Sequence, residues 1–328
     1  MTSSKIPPRT PEDVRRLMDL LLAEPSVSGC LHDLQPGALE ANYSGATFLF
    51  GAWSDLAGGT MLNGEARGTV VPQPAIVKLG ATEREVRCIQ QLAQHAPDLV
   101  PTLFAAGHRL GDEPLSWMVM ERCPLRLDYG WGDHLFTTLL DAGVRFQLAS
   151  RRLLPPVGPA DVGANHVVTF LRDGDAGVPS SPGPTDALFE CFEEDWAWAL
   201  ASCRIELCHG DLHPSNAVWR IAPPDPAGRA LLIDPAPQAL PWVYEPAYCQ
   251  VLYWPAGCQV GKPGLVQRMA SIRQSYGLDV PDSETLARLD ALFLAWHALR
   301  FWSHLTHRQG DPKWIADVRH WIERGAAR

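Results

Sequence analysis

Apolar positions follow two different periods along the chain, and the change between them divides it. Thr10-Pro11-Glu12-Asp13 reads as a helix cap with proline at the first helical position. Val14, Leu17, Met18, Leu20 and Leu21 then fall on one face, so the first forty residues are predicted to be helical. From about Leu34 to Leu79 the pattern turns to strands and turns. Thr47–Trp53 is an apolar run, Leu56–Gly68 is glycine-rich and turn-like, and Pro74–Leu79 is a strand that closes near Gly80. Helical spacing returns over Thr82–Leu92, with Val86, Ile89 and Leu92 on one side. A turn at Gly111–Pro114 precedes the buried-type strand Trp117–Glu121. These parts assemble into a small β-rich domain with one inserted helix.

Beyond Arg122-Cys123-Pro124 helices dominate, with predicted spans at Leu135–Leu154, Asp186–Cys203 and Asp282–His307. The last keeps a stripe of Leu286, Leu289, Phe293, Trp296, Leu299 and Leu305. Residues 155–185 are dense in Pro, Gly and Asp and too long for an ordinary connection, which marks a substrate-facing loop or an insertion. Two short strands, Ala217–Ile221 and Ala230–Asp234, flank a Pro/Gly turn and form a predicted hairpin.

Composition narrows the classes. With 46% hydrophobic and 20% charged residues the chain is globular in type. A net charge of -9 argues against a generic nucleic-acid partner, which needs a basic stripe. No apolar run approaches the ~18 residues of a membrane span, and the opening residues lack a secretory h-region; a cytoplasmic location is expected. The 8 cysteines include no CxxC pair and are read as reduced thiols, largely buried. Most of the 12 tryptophans are expected in the core, a few lining a pocket.

Candidate chemistry concentrates in Leu207-Cys-His-Gly-Asp-Leu-His-Pro-Ser-Asn216. An Asp followed five residues later by an Asn, just before a strand, is the spacing of a phosphotransferase catalytic loop. Asp211 can accept a hydroxyl proton while the Asn216 amide oxygen binds a metal. Asp234, leaving the strand Leu231-Leu-Ile, is placed to hold Mg²⁺ on nucleotide phosphates. No Gly-x-Ser-x-Gly elbow supports a hydrolase, and adjacent Cys208 and His209 on a strand would face opposite ways.

His209-Gly-Asp-Leu-His-Pro-Ser-Asn216 followed by Leu-Leu-Ile-Asp-Pro235 resembles the aminoglycoside phosphotransferase and choline kinase branch of the protein-kinase-like fold. Pro235 and Glu245-Pro-Ala-Tyr248 are most similar to the streptomycin- and hydroxyurea-type antibiotic kinases, although Tyr244 replaces the usual Gly and Cys249 the closing Asp. The resemblance implies an α+β, bilobal fold: a nucleotide-binding N-terminal lobe with a leading helix over residues 1–122, and a larger, mainly helical C-terminal catalytic lobe over 123–328. It implies ATP between the lobes, Mg²⁺ on Asn216 and Asp234, and Asp211 as catalytic base.

It also implies a strand lysine on the α/β-phosphates, matched by Lys78, and a helix glutamate that holds it. Glu83 and Glu85 compete for that place; Glu85 is favoured because Val86 and Ile89 mark the buried side. Asn42–Thr47, with Ser44 and Gly45, is the candidate phosphate turn. Met120 stands at the expected adenine hinge, as a gatekeeper or as core. Acceptor contacts are sought among Asp128, Tyr129, Trp131, Asp133, Trp242, Glu245 and Tyr248, carboxylates and aromatics suited to a polar or cationic hydroxyl compound. The expected reaction is phosphoryl transfer from ATP to a hydroxyl of a small molecule: an aminoglycoside-like antibiotic, an amino alcohol or a sugar. The rival is a catalytically weak kinase-like domain that binds nucleotide or a protein partner.

Overall fold

Thr10 performs the capping role that its place before Pro11 predicts. Its Oγ1 accepts the Asp13 N–H at 3.1 Å while the Asp13 carboxylate takes the Thr10 N–H, closing a capping box at the start of α1 (Pro11–Ala23). The expectation of helix through residue forty fails at Ala23. Glu24 is driven extended by the proline that follows, and the chain turns through Gly29 (φ 75°) into strand β1 (Leu31–Pro36). The computed structural model describes residues 9–37, 46–54, 72–126, 133–153, 195–220, 229–253, 264–306 and 320. These divide into two compact units, Met1–Arg126 with Val218–Pro235, and Leu127–Ala217 with Ala236–Arg328.

The first unit is built on an antiparallel sheet in the order β1-β2-β3-β5-β4, where β2 is Thr47–Trp53, β3 Gln73–Ala81, β4 Leu103–Gly107 and β5 Ser116–Glu121. Alternation along these strands sends Leu49, Trp53, Val77, Leu79, Trp117 and Val119 to one face, where Leu17 and Leu21 of α1 cover them. Lys78, between Val77 and Leu79, necessarily points to the other face. There it lies opposite Phe48 on β2 and Met118 on β5. Helix α2 (Glu83–His95) starts two residues after β3, with the Thr82 hydroxyl accepting the Glu85 N–H. Short strands β6 (Leu125–Arg126), β8 (Ala217–Trp219) and β9 (Leu231–Leu232) form a second sheet in the order β6-β8-β9, which bears out the predicted hairpin strands.

The second unit contains α3 (Asp133–Leu153), a helical stretch at 195–202, and the antiparallel pair β7 (Ile205–Cys208) and β10 (Gln238–Pro241). Helices α4 (Tyr244–Tyr253), α5 (Leu265–Ser275) and α6 (Ser283–Thr306) complete it. Asp282 caps α6 by accepting the Thr285 N–H at 2.8 Å, and the predicted stripe is buried at Leu286, Leu289, Phe293 and Trp296. Trp53, Trp117, Trp196, Trp219, Trp242 and Trp296 are all core, so Trp242 is removed from the candidate acceptor wall. Residues 155–185 lie outside the described residues. Among the described residues no helix is long and apolar enough to cross a membrane.

A row of buried polar groups crosses the second unit. Arg151 and Arg273 both grip Glu206, Arg273 also donates to the Gln147 amide oxygen, and Gln147 in turn donates to Glu245 at 3.4 Å. Glu245 is wholly buried and accepts the Gly210 N–H at 2.9 Å. It therefore cannot stand on an acceptor wall, as the sequence reading expected; it is an internal brace on the loop after β7. Burial pushes its carboxyl up to about 7, against the hydrogen bonds from Gly210 and Gln147.

The consequence for stability has a definite sign. A carboxyl raised in the folded protein is charged more easily when unfolded, so stability falls as pH rises from the ordinary value of 4.5 to about 7. Glu245→Gln keeps an acceptor for Gly210 without the charge. Urea unfolding is expected to find it more stable than the parent at pH 8, by on the order of 3 kcal/mol. The two should converge near pH 4.5, and parallel pH profiles would refute the assignment.

Candidate active site

Two clusters of polar residues, one in each unit, account for most of the sequence-predicted site. In the first unit the Lys78 ammonium, 3% exposed, donates to Glu85 Oε1 at 2.7 Å and to Asp234 Oδ1 at 2.9 Å. Burial works to lower the lysine pKa, but Asp234 and Glu85 outweigh it and hold the pKa above its ordinary value. Thr82-Glu-Arg-Glu85 has a capping-box sequence, yet only half of the box forms. The Thr82 hydroxyl takes the Glu85 N–H, while the Glu85 carboxylate turns to Lys78 instead. Glu83 faces solvent and pairs with Arg87 at 3.2 Å, one helical turn on. Of the two glutamates that the sequence left in competition, Glu85 thus holds the lysine.

Asp234 reaches this cluster from two residues past β9, its side chain 36% exposed. Its backbone has φ 55°, a left-handed conformation that costs a non-glycine residue energy and recurs at functional sites. Met120 is buried on β5 opposite Ile76 and Leu103, a core residue of this sheet. Beside it Glu121, the last residue of β5, accepts from the Thr102 N–H, the Thr102 hydroxyl and Arg220 Nε, which ties the end of β5 to the residues flanking β4 and β8. This tie escaped the sequence reading because the short, alanine-containing strand β4 gave no periodic signal.

In the second unit the loop from His209 to Asn216 leaves β7. His209 is buried edge-on to Phe146, and its carbonyl accepts the Ala236 N–H at 2.9 Å. Gly210 has φ 84°, and a Cβ there would lie 1.9 Å from the Ala236 carbonyl oxygen; no other residue type fits. Asp211 follows with its side chain 38% exposed. Asn216 Nδ2 donates to Asp211 Oδ2 at 2.8 Å and to the Asp211 carbonyl at 3.0 Å. The Tyr248 hydroxyl donates to Oδ1 at 2.5 Å, and His213 Nε2 lies 3.4 Å from the same oxygen. Burial would raise the Asp211 carboxyl, but the bonds from His213 and Tyr248 and the nearby imidazoles bring it down to about 2.

Sequence reasoning assigned His213 no role as a ligand. Its other ring nitrogen, Nδ1, is 3.1 Å from the Tyr253 hydroxyl, which also lies 2.6 Å from Ser215 Oγ. A signal was present, since His213 stands two residues after Asp211 in an extended segment, which returns it to the same side. Ser44, Gly45, Asp128, Tyr129 and Trp131 lie outside the described residues. Cys203, Cys208 and Cys249 are buried thiols, as expected, while Cys30, Cys88 and Cys123 are partly buried.

Each cluster offers an oxygen donor of the kind a hard cation takes. Asn216 commits its amide nitrogen to Asp211, leaving the amide oxygen available, and Asp234 has a carboxylate oxygen beyond the one on Lys78. Among the described residues no three His, Cys, Asp or Glu side chains gather as a self-sufficient metal site. One or two protein oxygens completed by phosphates and water is the way Mg²⁺ is ordinarily held.

The chain is similar in fold to a putative aminoglycoside phosphotransferase from Ralstonia eutropha, with a TM-score of 0.56 and 14% identity over 95% of this chain and 97% of that one. An amicoumacin kinase in complex with AMP-PNP and Ca²⁺ matches with a TM-score of 0.51 and 14% identity over 97% and 96%. A choline kinase from Streptococcus pneumoniae matches with a TM-score of 0.52 and 11% identity over 96% and 99%. Identities this low establish the α+β kinase-like fold alone. No curated protein matches the sequence. The family model described as a phosphotransferase enzyme family (APH) matches residues 61–234. That match spans more than half the chain and takes in Lys78, Glu85, Asp211, Asn216 and Asp234, and by it the chain belongs to the phosphotransferase enzyme family.

Proposed function

We propose that this protein transfers the γ-phosphoryl group of ATP to a hydroxyl of a small polar molecule such as an aminoglycoside-like antibiotic, an amino alcohol or a sugar. The observation that carries this reading is the Lys78 ammonium held between Glu85 and Asp234, residues 7 and 156 positions away in sequence. A buried lysine fixed by two carboxylates is costly to build without a use, because the Lys78 and Glu85 charges lose their water. Its use here is to meet nucleotide phosphates as a point charge. The match to the phosphotransferase family supports it, and the kinases that share the fold include one solved with AMP-PNP.

In the proposed reaction Lys78 binds α/β-phosphate oxygens, with Glu85 keeping its ammonium in place. Asn216 and Asp234 are the residues that would offer oxygens to Mg²⁺, which would supply charge neutralisation for the transferring phosphoryl group. Asp211 orients the acceptor hydroxyl and takes its proton at a carboxylate oxygen. A carboxyl held near 2 is a weak base, so its contribution is orientation of the nucleophile more than proton affinity. That is sufficient for a loose transition state in which the nucleophile is little engaged. Asp211, Asn216, Asp234 and Lys78 are all present, which weighs against the non-catalytic reading.

Two outcomes test the proposal. Thermal unfolding with Mg²⁺ and ATP, each alone and together, should show a rise of several degrees only with both; ligand at 100 times its Kd stabilises by about 2.7 kcal/mol. Asp234→Asn should remove the Mg²⁺ dependence of that rise, and a retained dependence would move the metal elsewhere. With an acceptor found by screening hydroxylated antibiotics, amino alcohols and sugars, Asp211→Asn should lower kcat by about a hundredfold or more while MgATP still stabilises the fold. Undiminished turnover would remove Asp211 from the chemistry.

A further inference from the structure

Tyr248 was expected among the acceptor contacts, but its surroundings suit a different task. It is 9% exposed, so little of it is open to a bound molecule. Its ring is set by neighbours on two helices. Tyr244 stacks on it with centroids 6.3 Å apart and 10° between planes, and His297 of α6 meets it edge-on at 5.5 Å. Thus fixed, its hydroxyl ends 2.5 Å from Asp211 Oδ1.

The second observation is one of register. Glu245 and Tyr248 are three residues apart on α4, which puts both on one helix face. Glu245 takes the Gly210 N–H, and Tyr248 takes the side chain of the very next residue. One helical turn therefore holds the backbone and the carboxylate of successive loop residues. With Asn216 on Oδ2, each oxygen of Asp211 has a donor that fixes its direction. Oδ1 also has His213 Nε2 at 3.4 Å, so Oδ2 is the oxygen with a lone pair left for an incoming hydroxyl.

We propose that Tyr248 is a positioning residue: its hydroxyl fixes Asp211 through Oδ1, as Asn216 does through Oδ2, so the carboxylate is aimed before any acceptor arrives. The proposal rests on Asp211 orienting the nucleophile, and it reassigns Tyr248 from acceptor recognition to alignment of the base. A hydrogen bond to a charged group is the strong kind, and misalignment of a nucleophile is costly in rate.

Tyr248→Phe tests it, because the ring and its packing remain while the hydroxyl is lost. The informative reaction is slow hydrolysis of MgATP by the full chain, in which water is the acceptor and no acceptor-binding contact can contribute. Asp211→Asn provides the background. A positioning role predicts that Tyr248→Phe lowers kcat for hydrolysis about tenfold or more. The KM for MgATP should stay within about twofold of the parent. Unchanged hydrolysis would return Tyr248 to the acceptor wall and overturn the proposal, leaving the phosphotransferase reading intact. If the parent shows no hydrolysis above background, that reading is judged separately by the MgATP-dependent thermal shift. The positioning role is then judged by hydrogen exchange of peptides covering residues 207–216. Faster exchange confined to that segment in Tyr248→Phe supports it, and identical exchange rejects it.

Discussion

A positive charge that has lost its water organises the first unit. Lys78 sits in a strand between Val77 and Leu79, both completely buried, and it is nearly as buried itself. An ammonium in that position is tolerable only with carboxylates in direct contact, and removing one partner of such a set ordinarily costs about 3–5 kcal/mol. The demand reaches outward from there. Helix α2 must begin immediately after β3 for its third residue to come back onto Lys78, and Thr82 makes that start possible by capping it. The chain beyond β9 must bring Asp234 to the same point, and it does so with a left-handed backbone. Strand, cap and hairpin thus converge on one buried cation.

A comparable constraint governs the loop after β7, though there it is steric. The approach of the Ala236 carbonyl leaves room for a hydrogen and nothing larger at position 210. Glycine satisfies the sterics but contributes no side chain to fix the loop, and its freedom has to be removed by others. The Ala236 N–H on the His209 carbonyl and Glu245 on the Gly210 N–H do so. The brace is an acid raised to about 7 by its burial, supported by Gln147 and, behind it, the arginines on Glu206. A polar row of this kind is worth its desolvation only when every member is bonded.

What the sequence made legible follows from how local each signal is. Strands β2, β3 and β5 declare themselves as short, largely apolar runs and helix α2 by period, and Asp211, Asn216 and Asp234 by spacing that survives without any fold. Glu85 could be ranked over Glu83 because Val86 and Ile89 show which way the helix faces. Other features were illegible for physical reasons. Strand β4 is five residues with two alanines and a glycine, so its identity depends on pairing with β5, which is tertiary. Glu245 and Tyr248 read as surface chemistry because acids and tyrosines usually are exposed. Their burial is decided by what α4 packs against, and no window of sequence contains that. The helical reading past Ala23 failed for a local reason that was present, the proline at 25.

These elements fit one physical requirement. Phosphoryl transfer asks little covalent work of the protein and much of its geometry, so side chains that matter must be unable to wander. Asp211 is the test case, since a side chain 38% exposed at a loop would ordinarily sample several rotamers. Here its two oxygens are claimed by groups of different origin, Asn216 from five residues along the same loop and Tyr248 from a separate helix. The local bond alone leaves the carboxylate free to swing with the loop; the distant bond ties it to the core. His213 and Tyr248 also lower its proton affinity, and in the proposed reaction that exchange favours orientation of the hydroxyl.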